Sequence, residues 1–493
     1  MLDTELITLA DKVIDRRCEM QNIELKAAAK GCPVRLYDTL SSFANQQNGG
    51  IIIFGIDQSD DYAICGVYDP HDLQAKVTEQ AAQMSPVVRP LFTVADYRGK
   101  VIVSAEIAEC DLFSKPCFYK GAGRMRGSYV RVGDADMPMT EYEIYSYEAF
   151  RTKRSEETRT SERVSAAALD ASALSAYQAQ LCEAKPKLAG LPAEQIYSLQ
   201  GMTDGGRPTL AALLLFGIYP QAFLPQLCVT AVAVPGVELG ETGAGGERFS
   251  DNKRIEGTIP QMLEESLAFV RRNIRRRTII DDAGARADRY EYPIKAVREL
   301  ILNALIHRDY SMHTEASPIR IMIFSDRIEI ENPGGLYGRL TLDNLGKTGG
   351  DTRNPYIAGA LEVMGITENR FSGIPTVRIE MNKYGLPEPL FENRRGAFKA
   401  TLYNSRTAED AEPAYGGSDM AREILSFCSA PRSRKELAER FGFDSPSYFI
   451  KRYVAPLVEE GLIALSQPET PKSKNQRYAA VGTRKLCKDE SSI

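Results

Sequence analysis

The chain has little of what metal clusters and disulfide frameworks are built from. It carries three histidines in 493 residues, which leaves little material for a histidine-based metal site. Its nine cysteines are scattered singly, with no C-x-x-C pair, which argues against zinc knuckles and disulfide scaffolds and suits a reducing cytoplasm. An excess of positive charge is also missing: 61 Lys and Arg stand against 66 Asp and Glu, for a net charge of −5. Any nucleic-acid surface must therefore be a local patch. The opening "MLDTELITLADKVIDRR" is charged and amphipathic and has no apolar signal-peptide core. One long uncharged run, residues 210–234, is broken by Gly217, Pro220 and Pro225 and carries Gln221 and Gln226. This pattern predicts a short helix, a turn and a buried strand, so no membrane partner is expected.

The length suits three domains, each able to bury its own core. Residues 1–150 read as a mixed α/β unit. "GGIIIFGID" (49–57) predicts a buried strand with "YAICGV" as its hairpin partner, and "HDLQAKVTEQAAQM" a helix. "LFTVADYRGKVIVSAEI" predicts two strands about a polar turn at Asp96–Lys100, and "GSYVRVGD" one more. Residues 151–194, polar and then alanine-rich, predict a helical connector. A second α/β unit spans 195–405. An acidic linker with glycine and proline (406–419), a small domain (420–481) and a tail (482–493) complete the chain.

"RELILNALIHRDY" (298–310) places Glu299, Asn303 and His307 at four-residue intervals inside an apolar segment. Tyr292-Pro293 marks the helix entry, and Val297, Ile301, Ala304 and Leu305 form the buried stripe. Taken alone, the polar edge is simply the solvated side of an amphipathic helix. Next comes "IRIMIFSDRIEIENPGGL" (319–336), a strand, a turn at Ser325-Asp326, a strand and a glycine loop. "LTLDNLGKTGGDTRNPYIAGAL" then leads into another helix, followed by "NRFSGIPTV" and "MNKYGLPEPLF". In this order the pieces resemble the GHKL ATP-binding fold of gyrase B, histidine kinases and MutL, and within it the branch of RecG-like transcriptional regulators.

That resemblance implies roles for particular residues. Asn303 would hold Mg²⁺ across the nucleotide phosphates, and Glu299 would be the general base for water. A neutral amide oxygen completes a magnesium shell without adding charge, and a carboxylate one turn away can orient a water. Glu331 or Asn332 would face adenine, with Gly334 and Gly335 allowing close backbone approach. Ser372 and Gly373 would lie near the phosphates, and Lys347 would reach a phosphate from the lid. Glutamate or asparagine replaces the usual adenine-binding aspartate, and "FSGI" has lost a glycine, so ATP binding is expected with slow hydrolysis at most. "GKT" (346–348) is no P-loop, because Thr341 stands where that loop needs glycine. A helicase motor is not expected.

Toward the N-terminus, "CEMQNIELKAAAKG" (18–31) and "LSSFANQQNGGIIIFGID" (40–57) resemble the Schlafen AlbA-like domain over residues 12–150. In nuclease members the matching positions bind a divalent metal, which here means Glu19, Glu24 and Asp57, with Lys26 beside them. Three carboxylates on one hard cation could activate water. The alternative is a nucleic-acid or partner-binding domain whose acids are structural. "FYKGAGRMRGSYVRVG" adds Lys120, Arg124, Arg126 and Arg131 as a phosphate-contacting hairpin.

At the other end, "DMAREILSFCS", "SRKELAERFGF" and "SPSYFIKRYVAPLVEEGLI" predict three helices, with a capping box at Ser433 and Glu436 and a cap at Ser445. "ALSQPETPKSKNQRYAA" suits a two-stranded wing. The segment resembles a winged helix-turn-helix, in which Ser447, Tyr448, Lys451 and Arg452 would face a major groove and Lys472, Lys474 and Arg477 would meet phosphates. Winged helices also serve as protein-interaction modules.

The expected fold class is thus multidomain α/β: an AlbA-like domain, a GHKL sandwich and a winged helix. The expected function is a cytoplasmic regulator that binds ATP and Mg²⁺ and binds duplex DNA (or RNA), as a homodimer or higher homo-oligomer. Weak ATPase activity is compatible with this. An ATP-gated, metal-dependent nuclease and a scaffold with a structural nucleotide are the alternatives.

Overall fold

The computed structural model describes residues 1–243, 246–280, 286–367, 372–394, 396–404, 424–425, 427–441, 446–459, 462–467, 473 and 476–480. The chain divides into two compact units, Met1–Asn404 and Ser405–Ile493.

The first part of the larger unit is a four-stranded sheet, ordered Ile23–Lys26, Gly50–Phe54, Lys100–Ile107, Leu91–Tyr97. Alternate residues of the second strand face opposite ways, as strand geometry requires. Ile53 joins the core formed with α1 (Asp3–Arg16) through Leu6, Ala10 and Val13. Ile52 and Phe54 join the core formed with α2 (Tyr37–Asn45) and α3 (Pro70–Ala82). The sheet is therefore covered on both faces. "GGIIIFGID" breaks at Gly55, whose φ of +103° suits glycine. The predicted hairpin partner pairs with the short strand beyond that break, Ala63–Ile64 against Ile56–Asp57, and further along Val67 bridges Ala28. A short α4 (Gly123–Gly127), the hairpin Tyr129–Val132/Ala135–Pro138 and α5 (Glu141–Arg151) follow.

Beyond the end of α5, the predicted helical connector is α-helical over α6 (Ala171–Ala184) and the start of α7 (Ala193–Leu199), with single 3-10 turns at Glu156–Thr158, Ala166–Ala168 and Pro186–Leu188. Residues before them are drawn into the fold instead. Tyr177, Leu181 and Ile196 share one core with the second half of the unit, so this stretch is part of that half.

That second half is a six-stranded sheet, ordered Asp251–Ile255, Val229–Ala233, Ile319–Ile323, Arg327–Pro333, Ala397–Tyr403, Leu390–Arg394. Its helices are α8 (Leu210–Phe216), α9 (Ile259–Asn273), α10 (Ile294–His307), α11 (Pro355–Val363) and α12 (Gly373–Lys383). The uncharged run resolves as predicted into α8, a turn and the strand Val229–Ala233, and no helix among the described residues is long and apolar enough to cross a membrane. Glu157, fully buried, accepts backbone hydrogen bonds from Tyr356 (2.9 Å) and Ile357 (2.8 Å), at the positive end of α11.

In the smaller unit, Arg432–Ser433, Arg477–Ala480 and Ile463–Leu465 form a three-stranded antiparallel sheet in that order. Ser433 and Glu436 make the predicted capping box on helix Arg434–Arg440. Phe449, Leu457 and Leu437 are buried together, with Tyr453 and Leu425 packed against them. The third predicted helix is interrupted by a π-turn over Ile450–Val454.

Candidate functional site

Pro293 sets the entry of α10, and Ala296, Val297, Leu300, Ile301, Ala304 and Leu305 bury its inner side. Glu299 and Asn303 remain half-buried on the adjoining face. They face a cavity of about 630 Å³, a size typical of small-molecule sites. The four-residue ladder is longer than first read, since Lys295, Glu299, Asn303 and His307 all line it.

The strand Arg327–Pro333 supplies the next wall. Ile330 and Asn332 line the cavity, while Glu329 and Glu331 alternate away from it. Glu331 lies 3.4 Å from Arg320 instead. Of the two residues expected to face a base, Asn332 is the one placed there. It is 6% exposed, and its Oδ1 makes no hydrogen bond. Gly334, at φ +102°, turns the chain over Asp309 and Arg353, and an added Cβ would lie 2.6 Å from Asp309 Cβ. Gly335 lines the cavity beside it.

The third wall is the start of α12. Ser372 and Gly373 line the cavity, and a Cβ on Gly373 would sit 2.9 Å from Asn303 Nδ2 and 3.2 Å from Glu299 Oε2. Glycine is what lets this turn approach the polar edge of α10. Pro375 has no N–H and Thr376 donates to the Ser372 carbonyl, so the first turn offers an anion the N–H groups of Gly373 and Ile374 alone.

Lys347 is exposed and is not among the lining residues, so the expected lid cation lies outside the cavity. Its place is taken by Lys295 and Arg298, which sequence reasoning missed although Lys295 sits one turn before Glu299. Arg298 lies 3.7 Å from Glu299 and donates to the Ile366 carbonyl at 2.7 Å. Arg353, Tyr337 and His307 were also missed as lining residues. His307 opens onto the cavity, where its Nδ1 lies 3.5 Å from Thr352 Oγ1. Its ring is exposed to the cavity, and desolvation by the surrounding walls, then the charge of Arg353, push it down toward about 4, a shift that water in the cavity moderates.

The acidic cluster of the N-terminal sheet is arranged differently. Glu24 pairs with Arg131 at 2.7 Å and with Lys26, Glu19 lies 3.6 Å from Arg131, and Asp136 completes the set at 3.1 Å. Arg131 is 4% exposed, so it is a buried counter-ion and not the phosphate contact expected of it. Burial pushes Glu19 up to about 7, against a backbone hydrogen bond from Leu25. Asp57 instead caps the turn after it, accepting from Ser59 N (2.9 Å) and Oγ (2.6 Å), bonds that hold its carboxyl below the usual range. Among the described residues no group of three or more His, Cys, Asp or Glu could hold a metal ion. The expected triad of Glu19, Glu24 and Asp57 is thus not assembled, because a guanidinium stands between the two glutamates.

Of the other expected phosphate contacts, Arg124 is paired with Glu148, while Lys120 and Arg126 are exposed. Arg477 is exposed in the smaller unit, 3.9 Å from Glu436. The side chains of Ser447, Tyr448, Lys451 and Arg452, and the whole of Ser445, Lys472 and Lys474, lie outside the described residues.

An α/β chain with a glycine-lined cavity of mixed apolar and polar lining in its second half is what these observations define. Residues 19–140 match the family described as "Schlafen, AlbA_2", and residues 316–402 that described as "Putative ATP-dependent DNA helicase recG C-terminal". The chain thus combines a Schlafen AlbA_2 domain with a RecG C-terminal ATPase-type domain, a pairing that suggests ATP binding and a nucleic-acid-related function. Helix α10 lies just ahead of the second match. Residues 421–480 match "Filamentation induced by cAMP protein Fic-like, C-terminal domain", a likeness the sequence reading did not draw. Among solved structures, the DIP2311 protein from Corynebacterium diphtheriae is 18% identical over 97% of each chain, with a TM-score of 0.40. The N-terminal domain of a "Putative ATP-dependent DNA Helicase RecG-related Protein" from Nitrosomonas europaea is 26% identical, over 27% of this chain and 92% of its own, with a TM-score of 0.23. No curated protein matches.

Proposed function

We propose that the chain is a nucleic-acid-binding regulator whose state is set by ATP and Mg²⁺ in the cavity of its second half. The observation that carries this is convergence. Glu299, Asn303, Asn332, Gly334, Gly335, Ser372 and Gly373 come from three separate elements and line one cavity. The unpartnered Asn332 Oδ1 fits a base, since a buried acceptor without a donor costs on the order of 1–3 kcal/mol. The close approach of Gly373 leaves Asn303 beside the start of α12, where the Gly373 and Ile374 N–H groups precede the first intrahelical bond, which fits a magnesium-bound phosphate chain. The ion would neutralise phosphate charge there. Glu299 would orient a water, and Lys295 and Arg298 would screen the phosphates.

The smaller unit and the exposed Lys120 and Arg126 would supply nucleic-acid contacts, with duplex DNA the preferred partner and a homodimer the working assembly. The nuclease reading has less support, since Arg131 occupies the space between Glu19 and Glu24.

The test is calorimetry of the full chain with ATP and Mg²⁺. Wild type should bind, and Asn303→Ala should bind at least tenfold more weakly while melting at the same temperature. Equal binding by both proteins would remove the reading.

A further inference from the structure

Helix α5 directly follows the Schlafen-type segment and is held on two sides. Toward that segment, Glu148 pairs with Arg124, and the Phe150 and Phe113 rings lie 5.1 Å apart. Toward the cavity, Phe150 meets Tyr337 edge-on at 5.4 Å, and Tyr142 donates a hydrogen bond to Asp309 Oδ2 at 2.7 Å. Tyr145, one turn along, packs against His313 and bonds Glu156 instead.

Asp309 is shared between α5 and the cavity wall. It is 3% exposed, and its Oδ1 accepts from the backbone N–H of Ser311 at 2.9 Å. Its Oδ2 faces Arg353 Nη1 at 3.7 Å, too long for a hydrogen bond. Arg353 lines the cavity, lies over the Tyr337 ring at 4.8 Å and is 7% exposed, yet its Nη1 makes no hydrogen bond. A buried, under-satisfied guanidinium takes up a new acceptor when one is offered, because charge-assisted bonds are the strong ones. Gly334 seals the group from above, so a loop that would touch the nucleotide also touches Asp309 and Arg353.

We propose that Tyr142 is a positioning residue of the nucleotide cavity, and that Tyr142, Asp309 and Arg353 form the link by which occupancy of the cavity is felt at α5. The inference rests on ATP being the ligand. An acceptor on the nucleotide draws Arg353 from Asp309, the Asp309 carboxylate then leans more on the Tyr142 hydroxyl, and the hold on α5 tightens. Linkage makes the effect reciprocal, so whatever displaces α5 alters ATP affinity by the same factor.

The experiment is hydrogen exchange across Glu141–Arg151 in the full chain, with and without saturating ATP and Mg²⁺, in wild type, Tyr142→Phe and Tyr145→Phe. ATP should slow exchange at least about twofold in wild type and in Tyr145→Phe, and leave Tyr142→Phe unchanged. Tyr142→Phe should still bind ATP, within about tenfold of wild type by calorimetry. Arg353→Lys, altered from the cavity side, should lose the same response. ATP binding with no change at α5 in wild type would overturn this inference alone. So would retention of the response by Tyr142→Phe, or its loss in both tyrosine variants. Failure of wild type to bind ATP would instead remove the nucleotide reading, and this inference with it.

Discussion

Around the cavity, Asn332 and Arg353 keep polar atoms without partners, and glycines hold the backbone close to Asn303 and Asp309. At the N-terminal sheet, Glu19, Glu24 and Asp136 close upon Arg131, and Ser42 Oγ (2.5 Å) and Thr39 Oγ1 (2.7 Å) donate to Asp136 from α2. Both places gather polar residues of kinds that do chemistry. Glu24 Oε2 and Arg131 Nε also lack hydrogen-bond partners. The carboxylates of the second place are nevertheless ion-paired with Arg131, whereas the polar groups of the first line a cavity with room for a ligand. Here the acidic motif read from sequence is answered by a cation of the protein's own, Arg131.

The largest effect that distinguishes the two regions is on stability. Arg131→Met removes the counter-ion of a buried acidic group, which costs about 3–5 kcal/mol. Thermal unfolding should register this as a drop of several degrees. Asn303→Ala, which loses only contacts to the cavity, should stay within about 1 kcal/mol of wild type. If Arg131→Met melted normally and Mn²⁺ then stabilised it, Glu19 and Glu24 would be metal ligands that Arg131 merely guards.

The second effect is on turnover. Glu299→Ala should bind ATP within about threefold of wild type and lose at least about tenfold of any hydrolysis, as expected for a base acting on water. Phosphate release under single-turnover conditions measures it. Unchanged hydrolysis in Glu299→Ala would move the base elsewhere.

Much of this contrast was legible in the chain itself. The spacing of Glu299 and Asn303, the glycines at 334, 335 and 373, and the strand–turn–strand between them specify the cavity, because each is a local pattern with a local cause. Asn332 could have been preferred over Glu331 by strand alternation, counting from the buried Ile328 and Ile330. Arg131 could not be placed so easily. Asp136 is its neighbour in the hairpin, but the two glutamates that bury it, Glu19 and Glu24, lie more than a hundred residues away, and an arginine opposite one aspartate in a basic hairpin reads equally well as exposed. Arg353 and Tyr142 were hidden for the same reason, since their significance comes only from meeting at Asp309.

A third, smaller effect appears with pH. Burial raises Glu19 and Glu157 to about 7 from 4.5. Within the Glu19–Glu24 pair the guanidinium is nearer to Glu24, which leaves Glu19 as the one that keeps a proton. Between these values the folded chain holds protons that the unfolded chain has released. The stability due to these groups is full below about 4.5 and lost as pH rises through about 7. His307 runs the other way, its share present above 6.5 and lost as pH falls through about 4, but it opens onto the cavity, where water screens it. The melting temperature should thus decline from pH 5 to 7, and Glu19→Gln should flatten the decline by about one proton. A melting temperature that rises over this range would mean that Glu19 is ionised against Arg131.

The smallest expected effect compares two lysines beside the same cavity. Lys347 belongs to the "GKT" that looks like a phosphate loop, whereas Lys295 belongs to the ladder on α10. Only Lys295 is among the lining residues. Both are exposed, so each acts through water, and a screened charge of this kind is worth about 0.2–1 kcal/mol. Lys295→Ala should therefore weaken ATP binding by about two- to fivefold, with the loss shrinking as salt is raised. Lys347→Ala should shift it by less than about twofold at any salt. Titrations of both variants at low and high ionic strength make the comparison. A larger loss from Lys347 would mean that the loop over residues 341–350 closes onto the phosphates when ATP is bound, and that the cation Glu299 works beside comes from the lid and not from its own helix.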